Sequence, residues 1–526
     1  IFTITAHTGT GKTIASISAA IALADKLGDL YGYRPRLITA MPFINILEQT
    51  RADYEAIFKK VLVHHSSMDY SSVDDQETPL QDKMLTVNAW EENVIITTFV
   101  QLFESILSNH NKALLKVNKL AGSIVILDEI QSLPIKYYNL IGAILEKISR
   151  HYGTRFILMT ATQPKIVESA NQLLDNIDIK EELIESIELL PDNLKFFENL
   201  QRTQIIPRFP KDKMSIDDLA ALVVEKIVGY KSALVVVNTI KNSIDLFKKL
   251  KSILDAKILY LSTNLTPSDR RKVIEEAKVL IQRGEHFIMV STQTIEAGVD
   301  LDFDIGFRDL APLPSIIQIA GRINRNGNKQ NNSPLYIVET YSKNSKANSA
   351  YIYNKVDLNR TKALLREVVP ESEYSRIMDK YYSSCLQDGV PQESLEIFKA
   401  IRELDYETIT KFELIKTQDL ATVIIESPAN RAIIVNYIEE YCTIRKKGRL
   451  NGGLDFEEQI RLKLILNRLS EHSVDVRVNK LRQNIPCKFK DVWGTELEMY
   501  YVPCEDISRY YDETGFITDN PEAFIY

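Results

Sequence analysis

Three short runs in the first third of the chain place phosphate-binding and carboxylate chemistry in a fixed order. Residues Ala6–Thr13 read AHTGTGKT, after an apolar stretch and before a helical one, the context a phosphate-binding loop requires. Gly9, Thr10 and Gly11 would let the backbone curl until its N–H groups converge on phosphate, with the helix N-terminus adding favourable partial charge. Lys12 would reach the β- and γ-phosphates of ATP, and Thr13 would ligate Mg²⁺. Ile124–Gln131 reads IVILDEIQ, an apolar strand ending in two carboxylates, which are costly there unless a cation or ligand uses them. Asp128 would hold Mg²⁺, Glu129 would orient and deprotonate an attacking water, and Gln131 would sense the γ-phosphate. Met159–Pro164 reads MTATQP, where Thr160 and Thr162 suit a hydrogen-bond relay from the carboxylates to a second lobe.

Two later runs complete the set. Ser291–Asp304 reads STQTIEAGVDLDFD and Gln318–Gly327 reads QIAGRINRNG. Arg322 and Arg325 are spaced to share one face of a helical turn, bracketed by Gly321 and Gly327. Closure of two lobes over ATP would let them stabilise charge on the γ-phosphoryl group, as arginine fingers do. Gln318 would also face the phosphates, and Asp300 would bond the ribose. Each run has a plainer reading alone: a Gly-rich turn, an acidic strand end, a solvated basic helix face. Their shared order argues against those readings.

A nucleic-acid track would cross the top of both lobes. Its candidates are Thr39, Pro42, Phe43, Thr97, Thr98 and Gln101 in the first lobe. In the second they are Asn238, Thr239, Ser262, Thr263, Thr292 and Gln293. Small hydroxyl and amide groups can grip a phosphate backbone and release it without reading bases.

The elements that must carry these groups alternate. Strands are expected at Phe2–Ala6, Arg36–Pro42, Val61–His65, Val94–Thr98, Ile124–Asp128 and Phe156–Thr160, with helices such as Ile14–Lys26 and Tyr137–Arg150 between them. That rhythm implies a parallel sheet covered on both faces. Ser66–Lys83 is polar and reads as a surface insertion. After a Pro-containing connector, Ile205–Pro210, the rhythm restarts with Ala233–Val237, Ile258–Leu261, Phe287–Ser291, Ile305–Phe307 and Leu335–Val338. From Asn344 longer helical segments take over, among them Tyr351–Val368 and Phe456–Leu469. The expected class is α/β: two tandem parallel-sheet domains, 1–205 and 206–345, then a helical connector, 346–450, and an accessory domain, 451–526.

Composition fits several globular domains and narrows the function classes. The chain has 526 residues, 45% hydrophobic and 26% charged. Its net charge of −7 argues against coating nucleic acid through overall charge, though not against a local basic track. Cys385, Cys442, Cys487 and Cys504 form no CxxC pair, so zinc ribbons and disulfide frameworks are not expected and a reducing cytoplasm is. The sequence shows no apolar run of membrane-spanning length, so no membrane partner is expected. The first strand enters a motif at once, as in a piece of something longer.

Taken in order, AHTGTGKT, DEIQ, TAT, STQTIEAGVDLDFD and QIAGRINRNG resemble the motif series of superfamily 2 helicases, whose lobes are RecA-like. Within that superfamily the chain is similar to the helicase portion of the CRISPR-associated helicase-nucleases of type I systems. TQTIEAGVDLDFD, the VHHSS stretch at Val63–Ser67 and YYDETGF at Tyr510–Phe516 carry that likeness. The resemblance implies ATP-dependent 3′ to 5′ translocation on single-stranded DNA opened by a guide-RNA surveillance complex, by a monomer. It also implies a metal-dependent HD nuclease, upstream or on a separate chain; the sequence has no His-Asp dipeptide, and His64–His65 reads as a strand end. The competing expectations are an RNA or DNA-repair helicase of the same fold, and an ATP-binding scaffold. A scaffold needs neither Glu129 nor paired arginines.

Overall fold

The computed structural model describes residues 1–6, 10–65, 80–161, 164–176, 184–190, 200–209, 213–296, 298–327, 332–342, 346–415, 419–482, 484–490 and 496–518. Gly9 and Thr162 lie outside the described residues, as does most of the expected Ser66–Lys83 insertion. The last part of that insertion enters a helix, Leu80–Ala89.

The first sheet contains β1 (Phe2–Thr5), β2 (Leu37–Met41), β3 (Leu62–His64), β4 (Val94–Thr98), β5 (Ile124–Leu127), β6 (Arg155–Thr160) and β7 (Ile187–Glu188). Their spatial order is β3-β4-β2-β5-β6-β1-β7, with every pairing parallel. Alternation along β5 sends Val125 and Leu127 into one core and Ile124 and Ile126 into another. This is why β5 reads as an unbroken apolar run: both faces are covered, as parallel sheets require. On one face the helices Tyr138–Tyr152 and Ile166–Asn176 cross so closely that a Cβ on Gly142 would lie 2.5 Å from the Ile166 carbonyl oxygen.

The second sheet contains β8 (Thr203–Arg208), β9 (Ser232–Val236), β10 (Lys257–Leu261), β11 (Phe287–Ser291), β12 (Ile305–Asp309), β13 (Ser333–Val338) and β14 (Val369–Pro370). Its order is β10-β11-β9-β12-β13-β8-β14, with β14 alone antiparallel. The expected connector at Ile205–Pro210 is therefore largely strand β8. Pro207 suggested a linker, but β14 pairs only with Gln204 and Ile205, so Pro207 lies where that edge is unpaired and its missing N–H is tolerated. The second lobe accordingly starts at Thr203, ahead of the expected 205/206 boundary.

The later helices return to the first lobe. Tyr374–Leu386 and Gln392–Glu403 follow β14, and Ser394 Oγ donates to the Lys136 carbonyl at 2.6 Å. Tyr137 Oη donates to Glu393 at 2.6 Å and packs on Phe412, with ring centroids 5.0 Å apart. Of the expected helix Tyr351–Val368, the structure forms Lys355–Leu364. A third sheet, β16-β15-β18-β17, joins β15 (Leu420–Ile425), β16 (Ser473–Arg477), β17 (Cys487–Lys490) and β18 (Glu496–Val502). Helices Arg431–Leu450 and Phe456–Ser470 accompany it. This unit crosses the expected division at 450/451, because β15 pairs with both β16 and β18. A hairpin, β19 (Tyr511–Asp512) and β20 (Gly515–Phe516), then docks on the second lobe. Its Thr514 and Phe516 carbonyls accept from Asn264 Nδ2 at 2.8 and 3.0 Å. Among the described residues no helix is long and apolar enough to cross a membrane.

Candidate ATP site and strand-facing loops

The carboxyl ends of β1, β5 and β6 bring the three amino-terminal motifs together, since these strands run parallel and β6 lies between the other two. Gly11 caps the helix Lys12–Tyr31 at φ 80°, a left-handed conformation that glycine adopts without strain. The exposed helix start faces outward with Lys12 and Thr13 in its first turn. Lys12 Nζ lies 3.5 Å from Glu129 Oε1 and, among the described residues, is buried without a hydrogen-bond partner. A buried ammonium in that condition fits an absent polyanion. Such a cradle suits a polyphosphate, and the Thr13 hydroxyl and Asp128 carboxylate are oxygen donors that could hold a divalent cation beside it.

Glu129 takes a left-handed backbone at φ 53°, rare for a non-glycine residue, which turns its carboxylate back toward Lys12. Gln131 Nε2 donates to Glu129 Oε2, and Gln131 Oε1 accepts from Thr160 Oγ1 at 2.6 Å. Thr160, Gln131 and Glu129 thus form a hydrogen-bonded chain within the first lobe, which meets Lys12 through an ion pair; the expected relay runs on from the carboxylates to the second lobe. Electrostatics divide the two carboxylates. Burial first, then the Glu129 charge, push Asp128 up to about 7. Burial also works against ionised Glu129, but Lys12, the Gln131 hydrogen bond and Arg322 outweigh it and hold its carboxyl below the ordinary range. Glu129 is therefore the group kept anionic at neutral pH, as a proton acceptor must be.

Arg322 belongs to the second lobe, yet its charge acts on Glu129, so the two lobes face each other across this site. Burial and then Arg325 lower the Arg322 guanidinium to about 10, still fully charged at neutral pH. Arg322 Nη2 donates to the Glu296 carbonyl at 3.1 Å. The spacing predicts that the arginines share one face of a helical turn, but they do not lie on a helix. The helix Leu313–Ala320 ends before them, and a bridge between Phe303 and Ile323, with Asn324 at φ 46°, folds the segment into a turn. The two side chains take different partners, although Arg325 remains near enough for its charge to act on Arg322. Arg325 Nη1 pairs with Asp300 Oδ1 at 3.2 Å, which puts the expected ribose ligand on an arginine. Gln318 lies on the preceding helix, partly buried.

The expected strand contacts divide by burial. Thr39 is mid-strand in β2 with its hydroxyl 2.6 Å from Tyr54 Oη, and Thr97 donates to the His64 carbonyl at 2.9 Å. Neither reaches a surface, because β2 and β4 are covered on both faces. Thr98 and Thr239 serve as helix N-caps, accepting from Gln101 N and Asn242 N at 3.2 Å. Ser262 accepts from Asn264 N at 3.1 Å and is fully buried, and the Thr292 hydroxyl lies 3.1 Å from that of Thr294. Gln101 Oε1 accepts from Lys116 Nζ at 3.1 Å. Phe43 and Thr263 are exposed, and Pro42, Gln101, Thr239 and Gln293 partly so. Of the hydroxyl candidates, several build the loops rather than line them. His64 is a core residue: its Nδ1 accepts from Trp90 Nε1 at 3.1 Å, and burial lowers it to about 3.

Sequence reasoning missed a buried polar cluster behind these loops. Arg308, fully buried on β12, donates to Asn238 Oδ1 at 2.6 Å, Glu296 Oε1 at 2.8 Å and Tyr353 Oη at 3.0 Å. Glu296 stood inside a quoted motif, but Arg308 sits in an apolar strand with no motif to flag it.

Two α/β lobes meeting over a phosphate loop, a carboxylate pair and a facing arginine have the layout of a superfamily 2 helicase core. Residues 2–170 match the family described as DEAD/DEAH box helicase, and residues 229–328 match that described as CRISPR-associated nuclease/helicase Cas3, C-terminal. The chain is thus similar to DEAD/DEAH-box helicases over its first lobe and to the C-terminal part of Cas3 over its second. The CRISPR-associated nuclease/helicase Cas3 of Haloferax volcanii is 29% identical over 424 residues, covering 62% of this chain and 44% of that protein. That of Methanothermobacter thermautotrophicus is 28% identical over 302 residues, 55% of this chain and 34% of its relative. The chain therefore spans less than half the length of these two curated relatives. T. fusca Cas3 with AMPPNP shares the fold at a TM-score of 0.65 and 17% identity, covering 95% of this chain and 65% of that one. A chain of a CRISPR RNA-guided surveillance complex in its pre-nicking state does so at 0.58 and 17%, covering 95% and 64%.

Proposed function

We propose that this chain is the motor of a CRISPR interference enzyme, moving 3′ to 5′ along single-stranded DNA opened by a guide-RNA surveillance complex and driven by ATP hydrolysis. The observation that carries the reading is the Lys12–Glu129–Gln131–Thr160 chain in one lobe lying within the field of Arg322 from the other. The Cas3 relatives and the surveillance-complex neighbour favour a CRISPR motor over a helicase of another kind.

Lys12, Thr13 and Asp128 hold the Mg²⁺–nucleotide, which supplies the phosphoryl group whose transfer to water does the work. Lys12 turns from Glu129 toward the phosphates, freeing the Glu129 carboxylate to orient water and accept its proton. Gln131, held by Thr160, registers whether the site is filled. Arg322 stabilises charge as the lobes close, and their reopening shifts the grip of the strand-facing loops. Asp300 would bond the ribose after releasing Arg325, and Arg325 and Gln318 would turn to the phosphates on closure.

The test is steady-state ATP hydrolysis with Mg²⁺, with and without single-stranded DNA or RNA, beside Arg322→Ala. We expect stimulation by DNA well above that by RNA, and a loss of about 10³-fold or more in the variant, the scale of arginine fingers. Stimulation by RNA alone would move the assignment to an RNA helicase. An unchanged Arg322→Ala enzyme would refute the finger.

A further inference from the structure

The cluster around Arg308 joins two parts of the second lobe that the motor reading needs to communicate. One is the loop after β11, where Gln293 is a candidate strand contact. The other is Arg322 at the ATP site. Between them the structure holds a continuous set of polar contacts, closed by a residue that follows the second lobe. Tyr353 Oη accepts from Gln293 Nε2 at 3.3 Å and from Arg308 Nη2 at 3.0 Å. The same Arg308 nitrogen reaches Glu296 Oε1 at 2.8 Å and Ser315 Oγ at 3.2 Å. The Glu296 carbonyl receives Arg322 Nη2 at 3.1 Å. Asn238 ties the base of the set: its Oδ1 accepts from Arg308, its Nδ2 donates to Asp309 at 2.8 Å, and its carbonyl accepts from Gln293 at 3.1 Å.

We infer that Tyr353 is a positioning residue that couples occupancy of the Gln293 loop to the placement of Arg322. The inference rests on the reading of the chain as a DNA-stimulated ATPase. Its physical basis is that the Tyr353 oxygen spends both lone pairs on the two donors, so Gln293 cannot turn outward to a phosphate without releasing one of them. The freed hydroxyl then bonds Arg308 alone and draws the guanidinium toward itself, a pull that is balanced by Gln293 at rest, within a pocket too tightly packed to absorb movement elsewhere. Glu296 is bonded to Arg308 through its side chain and to Arg322 through its backbone, so that shift reaches the finger. At rest, Glu296, Ser315 and Asn238 suffice to hold Arg308. The hydroxyl of Tyr353 therefore matters for the response to DNA and not for the resting geometry.

The experiment compares the whole chain with Tyr353→Phe, which keeps the ring and removes only the hydroxyl. Basal ATP turnover, the KM for ATP and the melting temperature are expected to stay at wild-type values. Turnover at saturating oligothymidylate is expected to fall about tenfold, the scale of one hydrogen bond to a charged group, with little change in the DNA concentration that half-saturates. A variant stimulated as strongly as wild type would overturn the coupling and leave the motor reading standing. Equal losses of basal and stimulated turnover, or a lowered melting temperature, would reduce Tyr353 to a structural residue. A wild-type chain that ignores every strand would overturn both readings.

Discussion

Replacing Gly515 with alanine should detach the carboxy-terminal hairpin from the second lobe. Gly515 sits at φ 94°, and a Cβ there would lie 2.1 Å from the Asn264 carbonyl oxygen and 2.5 Å from its carbon. Both are backbone atoms of a loop fixed by the Ser262–Asn264 hydrogen bond, so neither can retreat cheaply. Separation at the Asn264 contact alone removes three hydrogen bonds: Asn264 Nδ2 to the Thr514 and Phe516 carbonyls, and Phe516 N to the Asn264 carbonyl. At about 1 kcal/mol net for each bond, with about 1 kcal/mol for alanine in left-handed backbone, the docked hairpin loses about 4 kcal/mol. Tyr511, which accepts from Thr266 N at 3.0 Å and donates to Asp269 at 2.8 Å, would be released with it. Hydrogen exchange of the amides of Phe516 and Thr266 reads this directly, with a loss of protection of up to about a thousandfold. Gly452→Ala is the control: Gly452 has φ 73° but open space around its Cβ, so only the backbone cost applies. Wild-type protection in Gly515→Ala would refute the docking argument, and equal loss in both variants would show that backbone strain alone acts.

Lys12→Ala should abolish turnover through lost nucleotide binding, whereas Glu129→Gln should still bind nucleotide in a fluorescence titration but not turn it over; an active Glu129→Gln enzyme would remove Glu129 as the base. On the proposed mechanism Mg²⁺ would take the ionised form of Asp128, whose carboxyl is raised to about 7. The sign is therefore that affinity for Mg²⁺–nucleotide weakens as pH falls, by about tenfold between pH 8 and pH 6 after correction for the nucleotide's own titration. Calorimetry that finds a pH-independent affinity would contradict the raised carboxyl. Gly142→Ala should cost about 1–3 kcal/mol by forcing apart the helices Tyr138–Tyr152 and Ile166–Asn176, visible as a lower denaturant midpoint; an unchanged midpoint would show that the crossing can yield.

The sequence by itself determined the two sheets and the kinds of residue at the ATP site. Apolar runs such as Ile124–Leu127 can be buried on both faces only in a parallel sheet, and Lys12, Asp128 and Glu129 stand at strand ends where such a sheet exposes its carboxyl edge. Local chemistry was enough because each motif is contiguous. Tertiary structure alone decided what depends on partners distant along the chain. Pro207 read as a linker because its own ring argues against a strand, and only the short reach of β14 made it admissible. Arg322 and Arg325 read as one helical face, and the bridge from Ile323 to Phe303 put them in a turn with different partners. Thr39 and Thr97 had suitable hydroxyls, but Tyr54 and the His64 carbonyl had already taken them. Arg308 and Tyr353 carried no signal at all, because a buried ion's partners are chosen by packing, and its neighbours here come from two separate loops, a helix and a later segment of the chain.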